Sequence, residues 1–208
     1  FYTVDTGYFG NVKNKWIHRV KKNDMQNCGP IIERPMDRAK AHGYRYRKLS
    51  LGTKILVCPP SLKAMRVFGQ PDPETWVKQV VAEIKKYSSR PIEIRLKPNR
   101  TERVTDKTMQ AALADDVHCL VTYNSIAAVE ALMEGKPAVV LGPNAAYNIC
   151  ENDLRNVDNP RMPDRETTDA FFAHLAYCQF DVHELRNGYA WRTVNESSEL
   201  PQWNPTKK

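Results

Sequence analysis

Seven side chains in the middle of the chain carry groups suited to a phosphorylated ligand: Ser61, Arg66, Lys97, Arg100, Asn124, Ser125 and Glu130. The three cations attract phosphate. Asn124 and Ser125 open a helical stretch whose first backbone N–H groups have no intrahelical partner, and such groups together with the helix dipole favour an anion. Glu130, one and a half turns further on, can accept from ribose hydroxyls if it faces the same crevice. Each has a plainer alternative: Ser125 only caps the helix, and Glu130 is a solvated surface residue. Asp5, at the end of a short apolar run, is either a general base or the residue that closes an Asx turn before Gly7, the turn being the simpler of the two.

The elements that must position these groups follow from apolar periodicity and stop signals. Lys54 to Val57 is predicted as a strand halted by Pro59-Pro60, with Ser61 to Gly69 a loop. Asp72 caps a helix with Pro73 in its first turn, and Trp76, Val77, Val80, Val81 and Ile84 continue at helical spacing to about Tyr87. Pro91 to Leu96 is a strand ending at Lys97-Pro98-Asn99-Arg100, and Thr105 to Ala114 is a helix. Val117 to Val121 is a β-branched run, Thr122 to Ser125 a polar corner, and Ile126 to Met133 an Ala- and Leu-rich helix. Gly135 and Pro137 stop that helix before the strand Ala138 to Leu141. Strand and helix alternate from 54 to 141, which predicts an α/β fold: a Rossmann-like parallel sheet flanked by helices, with all the polar corners at strand carboxyl ends on one edge.

Phe1 to Val4 reads as a further strand. Beyond Gly142, residues 151–163 read as a long loop or lid, Asp164 to Tyr177 as a helix, and Val182 to about Val194 as another capped by Asp181. The expected organisation is a basic N-terminal region over 1–50, a phosphate-binding α/β domain over 51–195, and a loosely held tail over 196–208.

The chain has 208 residues and a net charge of +7. Its first hundred residues hold 21 Lys+Arg against 8 Asp+Glu, the remainder 10 against 16, so +13 stands against −6. Between 12 and 50 the cations alternate with aromatics, Lys13, Lys15, Trp16, Arg19, Lys21 and Lys22 first, then Arg34, Arg38, Lys40, Tyr44, Arg45, Tyr46 and Arg47. Cations beside stacking rings suit nucleic acid, so Lys13, Lys15, Arg19, Lys21, Lys22, Arg45 and Arg47 are candidate contacts to nucleic acid. A solvated connector has the same composition, and Pro30 and Pro35 argue against long regular elements there. No apolar run approaches membrane-spanning length, and no signal-peptide pattern opens the chain. Five scattered Cys without a CxxC pair point to reduced thiols, a cytoplasmic location and no metal ligation. Asp115-Asp116 precedes a buried strand, at the wrong end for a metal-binding carboxylate pair.

Lys97-Pro98, Asn124-Ser125, Glu130-Ala131-Leu132 and Gly135-Lys136-Pro137 together resemble the carboxyl-terminal nucleotide-sugar domain of GT-B type glycosyltransferases. The resemblance is to the capsule-polysaccharide and Kdo-transferase-like group and its bacteriophage relatives, and it covers about residues 50–195. Ala176 to Phe180 with Glu184, Gly188 and Trp191 resembles the phage members. Where the group has Lys-Pro-His-Pro, this chain has Lys97-Pro98-Asn99-Arg100, without the histidine. The resemblance implies transfer of a sugar from a nucleoside diphosphate, with no cofactor beyond that donor, to a hydroxyl such as that of a hydroxymethylated pyrimidine in phage DNA. Its alternatives are an enzyme of surface-polysaccharide synthesis and a non-catalytic nucleic-acid-binding protein on a degenerate GT-B domain.

Overall fold

The computed structural model describes residues 1–11, 16–97 and 108–195, and the chain divides into two compact units. Lys13, Lys15 and Arg100, with Pro98 and Asn99, lie outside the described residues, as does the expected tail over 196–208. The first unit joins Phe1–Arg45 to Asp169–Lys208, and the second is Tyr46–Thr168. The expected boundary at 195 therefore falls instead at 168, and the C-terminal helices belong with the N-terminal region. This changes the charge picture. The first unit holds 13 Lys+Arg against 9 Asp+Glu, a net +4, and the second 18 against 15, a net +3. The imbalance between the two halves of the sequence disappears in the fold.

The second unit is α/β, with four parallel strands in the order β4-β3-β5-β6: β3 is Lys54–Val57, β4 Ile92–Ile94, β5 Val117–Thr122 and β6 Ala138–Val140. Three helices flank the best-covered strands: α3 (Pro73–Ile84), α4 (Met109–Ala114) and α5 (Ala127–Met133). The Asp72 carboxylate accepts from the backbone N–H groups of Glu74 and Thr75, which starts α3 where Pro73 fixes the first turn. Ile55, Val57, Cys119, Val121 and Val139 pack against Trp76, Val77, Val80 and Ile84 of α3. Strand alternation turns Leu56, Leu120, Ala138 and Val140 to the other face, and all four are buried. Gly135, at φ +72°, ends α5 in the left-handed region as the sequence predicts.

One local expectation changes in this unit and another narrows. Ser61 to Gly69 is not a loop: Leu62–Val67 forms α2, with Ser61 accepting from the Ala64 N–H at its start. Ser61 had been read as a strand-end polar group, and it has N-cap chemistry as well. Of the two alternatives for residues 151–163, the loop holds, with one 3-10 turn at Leu154–Asn156, and it is packed against the sheet. Glu151 makes a parallel bridge to Val139, Asn152 donates to the Val140 carbonyl at 3.0 Å, and Val157 is fully buried. The segment thereby covers the outer edge of β6.

The first unit is built on an antiparallel sheet of order β1-β2-β7, with β1 Tyr2–Thr6, β2 Ile17–Lys22 and β7 Gln179–Asp181. Strand β2 falls where proline and glycine content suggested irregular chain. Its apolar residues, Ile17 and Val20, are the buried ones, and its partner strand lies far along the sequence. Asp5 consequently does not end a parallel strand. It lies inside β1, opposite Arg19, and pairs with it at 2.6 Å. Four helices complete the unit: α1 (Asp37–Ala41), the end of α6 (Arg165–Ala176), α7 (Val182–Arg186) and α8 (Tyr189–Asn195). The single helix expected over 182–194 is two, divided where Gly188 takes φ +79°. Arg38, expected among the surface cations, is fully buried. Its guanidinium donates to both carboxylate oxygens of Glu184, to Ala176 O at 2.9 Å and to Gln179 O at 2.7 Å, and lies 5.3–5.5 Å from the rings of Tyr177, Phe180 and Tyr189.

Candidate functional site

The chain direction reverses its progress across the parallel sheet between β3 and β5. From β3 the chain steps outward to β4, then returns past β3 to β5 and continues to β6. The loops leaving the carboxyl ends of β3 and β5 thus diverge, and a crevice opens at such a point in α/β sheets. Register puts Val57 beside both Ile94 and Val121, and Thr122 beside Val140, so the four carboxyl ends share one edge. Ser61, Lys97, Asn124 and Ser125 stand on the loops of that edge, as their spacing in the sequence predicts.

The β3 and β5 loops are tied beneath the crevice. Thr122 Oγ1 donates to Cys58 O at 2.6 Å, and the Cys58 N–H donates to Val121 O at 2.8 Å. The corner after β5 is held from the β6 side, where the buried Asn144 donates through Nδ2 to Ser125 O at 2.8 Å and accepts through Oδ1 from the Ala146 N–H. Ser125 accepts from the Ala127 N–H at 3.3 Å, one position before the N-cap of α5, which is Ile126 and has no side-chain capping bond. The Tyr123 ring lies against Gly142, where a Cβ would come within 2.4 Å of it, and edge-on to Phe68 at 6.3 Å. Any side chain at 142 would displace this ring.

Two groups at this edge are in states that a ligand would change. Asn124 is 6% exposed, and its Nδ2 is buried without a hydrogen-bond partner. An unmade hydrogen bond on a buried donor is costly, on the order of 1–3 kcal/mol. Glu130 is half-buried on α5, and removal from water pushes its carboxyl above the ordinary range, while Arg95 and Lys97 pull it back. Both cations follow the carboxyl end of β4. Arg95 went unnoticed in the sequence, although it precedes Lys97 by two positions on the same strand exit. Asn144 also escaped notice, its only signal being a Pro-Asn turn after β6. Arg66 is exposed on α2.

Cations, a carboxylate, an unsatisfied amide and hydroxyls on one edge suit a ligand that is both phosphorylated and rich in hydroxyl groups. An open groove of about 570 Å³ lies elsewhere, lined by Lys85, Ser88, Arg90 and Ile92 among others. It runs along the outer strand β4 from Arg90 before its amino end to Ile94 at its carboxyl end, and its Arg90 is already paired with Asp158 at 3.0 Å.

The described candidate nucleic-acid contacts on β2 do not share one face. Arg19 is paired with Asp5 and lies over the Tyr8 ring, while Lys22 points to the other face of β2 and donates to Asn195. Lys21 is half-buried, Arg45 is exposed in the first unit, and Arg47 is paired with Glu134 in the second.

His174 and Cys178 form a pair that composition did not suggest, with Nε2 and Sγ 3.6 Å apart. Nδ1 of His174 accepts from the Ile32 N–H at 3.2 Å, which leaves the neutral ring's proton on Nε2, where the Asn27 side-chain amide also stands at 3.3 Å and offers its otherwise unpartnered oxygen when turned. A nitrogen that already holds its proton cannot take one from the thiol, and burial pushes the Cys178 thiol up. The pair is structural. Burial, reinforced by Lys21 and Arg34, lowers His174 from the usual 6.5 to about 4. A histidine depressed in the folded state binds its proton more readily when unfolded. The first unit is therefore expected to lose stability as pH falls from 6.5 towards 4, by about 3 kcal/mol, with none of this loss recovered below 4. Urea unfolding of the wild type and His174→Gln across that range checks it, and the variant should lack the dependence.

Among the described residues no group of three His, Cys, Asp or Glu side chains is placed to hold a metal ion, and no helix is long and apolar enough to cross a membrane. No model of a known protein family matches the chain, and no curated protein matches it.

Proposed function

We propose that the second unit binds a nucleoside-diphosphate sugar at the carboxyl edge of its parallel sheet and that the protein is a glycosyltransferase acting on a hydroxyl of DNA, most simply a hydroxymethylated pyrimidine. The observation that carries this reading is the reversal of strand order between β3 and β5, with Lys97 and the unsatisfied Asn124 amide on loops of the carboxyl edge at that point. The GT-B resemblance of the same residues supports the sugar donor over other nucleotides. Five free thiols support a reducing compartment such as the cytoplasm.

In this reading the bond between the sugar and the diphosphate breaks with the electron pair leaving on the phosphate oxygen. Lys97, Arg66 and Arg100 stabilise that charge together with the backbone N–H groups near Ser61 and Ser125, which is electrostatic catalysis. Asn124 donates its free Nδ2 proton to the ligand, and Glu130 accepts from the ribose. A base must take the proton of the acceptor hydroxyl. Asp5 is the candidate, and its carboxylate must first be released from Arg19.

A thermal-shift panel of UDP-, GDP- and CMP-sugars tests the donor site. At least one is expected to raise the melting temperature in proportion to the logarithm of its concentration. No shift with any member would overturn the donor reading. Transfer to surface-glycan fragments but not to hydroxymethylated DNA would reassign the acceptor.

A further inference from the structure

We propose that one face of the β1–β2 hairpin, together with α8, is a stacking platform for single-stranded nucleic acid. Register pairs Tyr2 with Lys22, Val4 with Val20 and Thr6 with His18, and alternation along an antiparallel ladder puts these six on one face. Helix α8 covers only part of it. Val20 packs with Phe180, Tyr189 and Ala190 in a buried cluster, while beyond that cluster Val4 is 58% exposed and Trp191 61% exposed.

The uncovered part is organised. Tyr2 and Trp191 lie with ring centroids 5.1 Å apart. The Tyr2 hydroxyl donates to Asn195 Oδ1 at 2.7 Å, and Lys22 Nζ donates to the same oxygen at 3.0 Å. Asn195 in turn donates to Trp191 O at 2.9 Å. One amide therefore fixes a ring pair and brings an ammonium group beside it. Trp16, 61% exposed, stands one residue before β2, where continued alternation puts it on the side of His18 and Val20.

Charge decides among occupants. The six hairpin residues of this face and the seven of α8 include Lys22 and Arg192 and no carboxylate. Asp5 lies on the opposite face with Arg19. Exposed rings beside cations, with no acid among them, match a polyanion that also offers flat apolar faces. Unpaired bases offer those faces, whereas a duplex hides them in its stack. The inference deepens the proposed function by naming the form in which a nucleic acid acceptor is held, and it rests on that reading for this role alone.

The experiment uses the full chain without sugar donor and follows the anisotropy of a labelled oligothymidylate and of a duplex of equal length. The single strand is expected to bind more tightly than the duplex and to quench tryptophan fluorescence. Trp191→Ala is expected to weaken binding about fivefold or more, and Trp191→Phe to retain most of it. Lys22→Ala should reduce the salt slope by about one. Trp191 is exposed, so both variants should unfold as the wild type does. Failure to bind the oligothymidylate would overturn the proposal. So would equal binding of the duplex, an unchanged affinity in Trp191→Ala, or a wild type that dimerises through this face. A nucleotide-sugar thermal shift without oligothymidylate binding would leave the donor site standing and remove this platform. Binding without the shift would do the reverse.

Discussion

Replacing Arg38 by alanine is expected to destabilise the first unit by about 3–5 kcal/mol, most of the margin of an ordinary domain. The guanidinium is fully buried, and its loss strands the Glu184 carboxylate, which is 8% exposed, and removes the donors to Ala176 O and Gln179 O. Glu184 also closes the capping box that starts α7, accepting from the Asp181 N–H at 2.9 Å. The damage therefore spreads from α1 to β7 and α7 at once. Paired replacement, Arg38→Met with Glu184→Gln, should cost much less than the two single changes added together, because no uncompensated charge then remains buried. Unfolding followed by hydrogen exchange at amides of the first unit reads this directly. Additive effects of the two changes would show that the pair does not act as one.

The second large effect concerns Glu130. Replacing it by glutamine is expected to move two quantities in opposite directions. Affinity for the nucleotide sugar should fall on the order of 10- to 100-fold, the loss of a hydrogen bond to a charged acceptor. The ligand-free second unit should become more stable, because burial already disfavours the ionised carboxyl. The sign with pH follows from the raised carboxyl. The folded state favours the protonated form, so in the wild type this group adds stability as pH falls through its raised value. Ligand affinity falls over the same range, since the acceptor is lost, and it does so nearer neutrality than for an ordinary glutamate. Calorimetric titration at several pH values, with and without the substitution, separates the two trends. A variant that binds as the wild type does would remove Glu130 from the site.

The parallel sheet was legible because its strands are short β-branched runs between strong stop signals, as at Val117 to Val121, and because Asp72-Pro73 and Gly135 mark helix ends by local chemistry alone. The polar corners were legible for the same reason, since a parallel sheet must put all its carboxyl ends on one edge. The antiparallel sheet was hidden. Strand β2 has only two buried apolar residues, and what pairs with its far side is a three-residue strand that begins at Gln179. Arg38 could be read only as a surface cation, because its partner stands 146 residues away. The break at Asn187-Gly188 did carry a local signal, a glycine where a helix ends in the left-handed region. Within the site, Ser125, Asn124 and Lys97 announced themselves by position. Arg95 and Asn144 act through contacts that only the assembled edge creates.

The most direct measurement is amide-resolved NMR of the labelled protein titrated with the nucleotide sugar that raises its melting temperature most. The account predicts shifts concentrated at Cys58 to Ser61, Arg95 to Lys97 and Tyr123 to Ala127, with the side-chain amide of Asn124 among the largest. Shifts confined to the groove beside Lys85 and Arg90, or none at the carboxyl edge at saturation, would contradict it.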